Sequence, residues 1–208
     1  VLREYPRDYV IFHQMMRADV VGVNTTKINV DCTRPEDLTR AEIEGRAQAW
    51  EVVNCLIRYI PGFESSYLLA FSDVLGVRET RRVVGLATLT REHVMSGAVP
   101  ADTIAMSCYP IDIHDPRKAG PHLEVLAKPY GIPYGCLVPQ KVANLLVAGR
   151  CLSATQEAMA SARVMANCMA MGQAAGTAAA LCARARVRPG DLEVDALRRV
   201  LRQDGAIL

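Results

Sequence analysis

Three stretches of this 208-residue chain hold residue types at spacings that could do chemistry. In "YPIDIHDP", His114 lies between Asp112 and Asp115. A carboxylate beside an imidazole raises its pKa and suits it to act as a general acid or base; the alternative is a loop histidine that is solvated or structural. "RETRR" places Arg78, Glu79, Arg81 and Arg82 close together. If Arg81 faces a cleft, its planar fork can grip a carboxylate through two parallel N–H donors; otherwise the cluster is solvated or paired, with Glu79 as the nearby partner. The third stretch runs from Gly149-Arg150 through a polar turn to Arg163, Val164 and Met165. A helix starting there offers free first-turn N–H groups to an anion or a polarised carbonyl. Arg163 at such a helix start opposes the macrodipole, which calls for an anionic neighbour or a salt bridge.

Other reactive side chains point less clearly. Tyr130 and Tyr134 in "KPYGIPYGC" could line a pocket or simply pack their rings. Seven scattered cysteines form no CxxC pair, so neither metal spacing nor a disulfide framework is expected. Cys151 and Cys168 bracket the polar turn, and buried inert thiols are the simpler reading.

The elements that must position these residues follow from local pattern. "VVGVNTTKINVD" (20–31) alternates as a half-buried strand. Thr39 and Glu42 have the spacing of a capping box, with Ile43, Ala47, Trp50, Ile57 and Ile60 on one helical face and Pro61-Gly62 ending the helix. "SYLLAF" is expected as a short strand. "TREHVMSG" reads as a short helix capped by Thr90 and closed by Gly97, followed by strands in "DTIAMSCYPIDIHDP" and extended segments in "LEVLAKPYGIPYGCLVP". "LLVAGR" reads as a buried strand. "PGDLEVDALRRVLRQDG" is an amphipathic helix with Leu192, Leu197 and Leu201 inward and Gly205 closing it.

Residues 164–183 carry no formal charge. A helix of that length spans roughly 30 Å, about a bilayer core. Its Ala, Gly, Met and Cys content, with Asn167, Gln173 and Thr177, gains little from hydrocarbon, so a packed helix is expected. Met165, Met169, Gly172, Gly176, Ala179 and Ala183 fall on one face at core-facing spacing, small enough for a neighbour to come very close.

Half the residues are apolar, 22% are charged and the net charge is +2. That balance, without a basic stripe, gives no reason to expect nucleic acid. No signal-peptide pattern is present and the chain starts with Val rather than Met, so a cytoplasmic location and a piece of a longer protein are expected. Strands and helices mix without regular βαβ alternation, which indicates an α+β fold.

"NLLVAGRCLSATQEAMASARVMANCMAMGQAAGTAAAL" closely resembles the C-terminal signature of a family of bacterial FAD-dependent oxidoreductases, within the two-dinucleotide-binding-domain flavoproteins built like glutathione reductase. "DLTRAEIEGRAQAWEVVNCLIRYIPGFE", "GVRETRRVVGLATLT", "YPIDIHDP" and "YGIPYGCLVP" resemble the same family in the same order, from about residue 20 to the end. Two departures stand out: similar sequences often have His at Gln156 and Pro at Ala166. Glutamine carries no proton near neutral pH, so no acid–base role transfers to that turn.

The resemblance implies FAD as cofactor and hydride transfer with a small-molecule substrate. In that family a GxGxxG unit holds the pyrophosphate, and no GxGxxG occurs in this chain. An N-terminal FAD-binding half is therefore the expected partner, and a homo-oligomer is compatible. The implied architecture is a mixed-sheet substrate region over residues 1–140. Residues 141–208 would supply the strand and helices completing an FAD-binding Rossmann-like domain. The implied catalytic residues are His114, Arg81 and Arg163. The implied cofactor contacts are Gly149, Arg150, Ser153, Arg163, Val164 and Met165, with the helix end favouring negative charge on the flavin. No metal is implied. The competing reading is a binding or assembly module that keeps the fold without catalysis.

Overall fold

The structure, a computed structural model, describes residues 10–113 and 122–208. Among the described residues it is α+β, with five α-helices and three two-stranded antiparallel sheets. Two compact units divide between Val77 and Arg78.

In the first unit, β1 (Phe12–Gln14) pairs with β2 (Val21–Val23) in an exposed hairpin. The strand expected over residues 20–31 is thus only three residues long. Beyond it Lys27 exchanges two hydrogen bonds with the Gln48 side chain, at 3.0 and 3.1 Å, where a ladder would otherwise run. The long helix α1 (Pro35–Tyr59) starts before the expected capping box, with Pro35 in its first turn and Glu36 and Asp37 favourably placed on the dipole. Thr39 is therefore inside the helix, and its hydroxyl donates back to the Pro35 carbonyl at 3.1 Å. The buried face is also turned from the expected one. Ala41, Val52 and Leu56 are buried, whereas Ile43 and Trp50 are 65% and 50% exposed. Trp50 meets Phe71 edge-on at 6.1 Å. "SYLLAF" forms no strand.

The second unit holds the larger core. β3 (Thr103–Ser107) pairs with β6 (Tyr130–Pro133), and β4 (Ile111–Ile113) with β5 (His122–Glu124). The β3–β6 approach requires Gly131, where a Cβ would stand 2.3 Å from the Thr103 hydroxyl. Helix α2 (Arg91–Ser96) has its expected ends: Thr90 accepts from the His93 N–H and Gly97 adopts φ 66°. Helices α3 (Gln156–Ala162), α4 (Met165–Ala185) and α5 (Val194–Gln203) follow. Leu197 and Leu201 of α5 are buried as expected, in a core with Leu89, Ile104, Leu137, Leu152, Met159 and Met171.

The division expected at residue 140 falls inside this unit. Main-chain bonds lace residues 83–89, 135–140 and 151–155 into one irregular layer: Val83 to Cys151, Leu86 to Val138, Ala87 to Gly135, Ser153 to Cys136 and Leu89 to Ser153. Among the described residues the ladders are antiparallel, and parallel pairing is confined to one bridge, Leu89 with Ala154. "LLVAGR" forms no strand: Val147 donates to the Leu137 carbonyl, and Leu145 is exposed. It ends in a 3-10 turn, Gly149–Cys151.

Candidate functional site

The charge-free stretch forms the expected helix, α4, but the polar turn before it is itself helical. Thr155 caps α3 by accepting from the Ala158 N–H, α3 ends at Arg163, and Val164 is extended at ψ 154° before α4 begins. Arg163 is thus the C-cap of α3, where a cation suits the negative end of the helix dipole. The break adds this favourable position on α3, while Arg163 still lies next to the α4 N-cap.

Val164, the N-cap of α4, has no side chain able to cap, and no carboxylate lies in the first turn. Met165 and Ala166 are exposed there. Free N–H groups at the positive end of a 21-residue helix make a donor surface for an anion or a carbonyl oxygen. Gly149 packs against this end: it holds φ 75°, open to glycine at little cost, and a Cβ on it would touch Cys168 Sγ at 3.6 Å. Gly149, Arg150, Val164 and Met165 are therefore gathered at one end of α4. Ser153 is turned away; it is buried and its hydroxyl bonds Thr88 at 3.0 Å.

Arg163 is half-buried and donates to the Asp112 carbonyl at 2.9 Å. Burial pulls its pKa down, and the positive charge of Arg78 adds to the effect, against opposing pulls from Glu79 and Asp112. From "RETRR" it is thus Arg78 and Glu79 whose charges act on Arg163. Arg81 is exposed, and Arg82 pairs with Glu79 at 3.0 Å. Arg78 was visible in the sequence only as one of four charges, since nothing local distinguishes it from Arg81. His114 lies outside the described residues; its neighbour Asp112 is buried.

Beneath α4's first turn sits a polar cluster that the residue pattern did not reveal. Asn167 donates to Ser107 Oγ at 2.9 Å and to the Ser161 carbonyl at 3.1 Å. Tyr130 and Ser161 hydroxyls meet at 2.8 Å, and Ser161 donates to the Tyr109 carbonyl at 2.6 Å. The signal available in sequence was a lone Asn in a charge-free helix.

The face of α4 expected to be core is the open one. Met165 and Met169 are 83% and 74% exposed, Gly172, Gly176, Ala179 and Ala183 are exposed, and Asn167, Met171, Ala174, Ala178 and Cys182 are buried instead. All seven cysteines are free thiols, and burial raises the Cys168 pKa despite Arg150. Among the described residues no helix is long and apolar enough to cross a membrane.

The model of the FAD dependent oxidoreductase family matches residues 3–201. No curated protein and no solved structure matches the chain. With the family match running through both units and the whole α3–α4 junction, the chain belongs to the FAD-dependent oxidoreductase family.

Proposed function

We propose that the chain supplies the substrate-side wall and the last helices of the cofactor domain of an enzyme that moves a hydride between a small organic substrate and FAD. The observation carrying this reading is the start of α4: no side-chain cap, no first-turn carboxylate, and Arg150 and Arg163 on its flanks. The donor set fits the cofactor, whose pyrophosphate and ring carbonyls accept hydrogen bonds and whose charge is negative. Gly149, Arg150, Val164 and Met165 would hold it. When bound, FAD supplies the redox chemistry itself.

The protein's own residues position and select. Arg163, kept in place by the Asp112 carbonyl, presents a cation without a carboxylate ion pair among the described residues, with Arg78 as a second cation acting on it. A small anionic substrate, such as a carboxylate, would relieve the repulsion between them. His114 and Arg81 stay as candidate acid–base and substrate-binding groups. The GxGxxG portion would come from an N-terminal FAD-binding half, and the open face of α4, with Gly172 and Gly176, is its proposed landing surface. A cytoplasmic enzyme, which could assemble as a homo-oligomer, completes the proposal.

The test is reconstitution of this chain with an N-terminal FAD-binding half, desalting, and a visible spectrum. Flavin bands that appear only with both halves support the reading. A colourless complex overturns it in favour of a non-catalytic binding or assembly module.

A further inference from the structure

Buried polar groups are costly unless each finds a partner, and a network that satisfies all of them fixes one arrangement of the surrounding chain. Ser107, Tyr130, Ser161 and Asn167 are all buried, at 5%, 0%, 0% and 7% exposure. Their proton directions follow from elementary inventory. The Tyr109 carbonyl can only accept, so the single Ser161 hydroxyl proton goes to it, and Tyr130 must then donate to Ser161. The Ser161 carbonyl likewise only accepts, so the Asn167 atom facing it is the amide nitrogen. Ser107 Oγ receives that amide and also the Tyr109 N–H, the latter at 3.3 Å.

The connectivity joins three elements at one point. The turn after β3 (Ser107 to Tyr109), the end of α3 (Ser161) and the first turn of α4 (Asn167) are tied together by hydrogen bonds. Asparagine near a helix start can bond its own helix end. Here its carboxamide is committed downward, into the core, while Val164 provides no cap. The first-turn N–H groups are left open and their direction is set by β3.

We propose that Asn167, with Ser107 as its acceptor, is a positioning residue for the flavin: it holds the start of α4 in the orientation that the cofactor uses. The inference rests on the reading of the α4 start as the flavin-facing end. Neither residue touches the cofactor in this scheme; both act through the helix terminus.

The test uses the chain assembled with its FAD-binding half and four variants: Asn167→Leu, Asn167→Ala, Ser107→Ala and Ser107→Thr. Melting and circular dichroism establish folding, and flavin affinity, the visible band shape and the midpoint potential are then read. Ser107→Ala is expected to weaken FAD binding about tenfold, the worth of one well-placed hydrogen bond, with a shifted band and a more negative potential. Ser107→Thr, which keeps the hydroxyl, should restore wild-type values, and a folded Asn167→Leu should match Ser107→Ala. If Asn167→Leu or Asn167→Ala does not fold, the Ser107 pair decides. Folded variants with unchanged affinity, band and potential overturn the positioning role while leaving the flavin reading intact. Wild-type halves that hold no flavin overturn that reading and this proposal together.

Discussion

Arg163 donates to the main-chain carbonyl of Asp112 at 2.9 Å, bridging the end of α3 to β4, and meets no carboxylate at ion-pair distance among the described residues. A half-buried guanidinium so placed is stabilised by that carbonyl and by the charges of Glu79 and Asp112, and opposed more strongly by desolvation and Arg78. Arg163→Met removes the cation with little change in volume. The lost charge-assisted bond, about 1.5–3 kcal/mol, is largely offset by the relieved desolvation and repulsion. Urea unfolding of the chain should therefore shift by no more than about 1 kcal/mol. In the flavin-loaded assembly, binding of a small carboxylate, followed by perturbation of the flavin bands, should weaken at least about tenfold. Equal carboxylate affinity in wild type and variant would remove Arg163 from the substrate site.

The open face of α4 makes a prediction with opposite signs in two settings. Gly172 and Gly176 are mid-helix, exposed, and have nothing within 4 Å of an added Cβ. Replacing both by alanine should stabilise the chain alone by about 1 kcal/mol per site, because glycine loses more backbone freedom on folding. If the FAD-binding half lands on this face, the same double variant should dissociate from it more readily, since two methyl groups enter a close backbone approach. Urea midpoints and an association assay report the two effects separately. A double variant that associates as well as wild type would put the landing surface elsewhere.

Alkaline pH should destabilise the chain through its buried acids. Burial pushes the Cys136 thiol up to about 12 from its ordinary 9.0, and Tyr130 and Tyr134 are raised for the same reason. Each is held protonated in the folded state while the unfolded chain releases its proton near the ordinary value. Their stabilising contribution is complete below the unfolded pKa, and above it the folded state binds more protons. For Cys136 stability then falls between pH 9 and about 12, by up to about 1.4 kcal/mol per pH unit. Cys136→Ala should flatten the slope of urea stability against pH in this window. An unchanged slope would show that the thiol ionises without unfolding.

How much of this was legible in the residues depended on how far each feature's causes lie along the chain. Helix α2 was readable at both ends because Thr90, His93 and Gly97 act within a few residues of one another. The face of α5 was readable because its apolar and charged sides differ sharply, with Leu197 and Leu201 on one side. In α1 and α4 the pattern offers two usable faces, and periodicity cannot say which one this chain covers. Ile43 and Trp50 fit a helical stripe as well as Val52 and Leu56 do, and Met165 and Met169 as well as Met171. The break at Arg163-Val164 has no glycine or proline to announce it.

By itself, the sequence determined the α+β class, most helix positions, the family, and the cluster Gly149, Arg150, Arg163, Val164 and Met165 as neighbours of one helix start. The family followed from the resemblance of the quoted motifs; the rest follows from composition, caps and local pattern, whose physics reaches about one helical turn. Only the tertiary structure decided that Arg163 closes α3 instead of opening α4, that Arg78 acts on it, and that Asn167 points into the core. Those outcomes depend on Asp112 and Ser107, more than fifty residues upstream of their partners. Contacts of that range are set by packing and by the need to satisfy every buried donor and acceptor, and no local propensity encodes them.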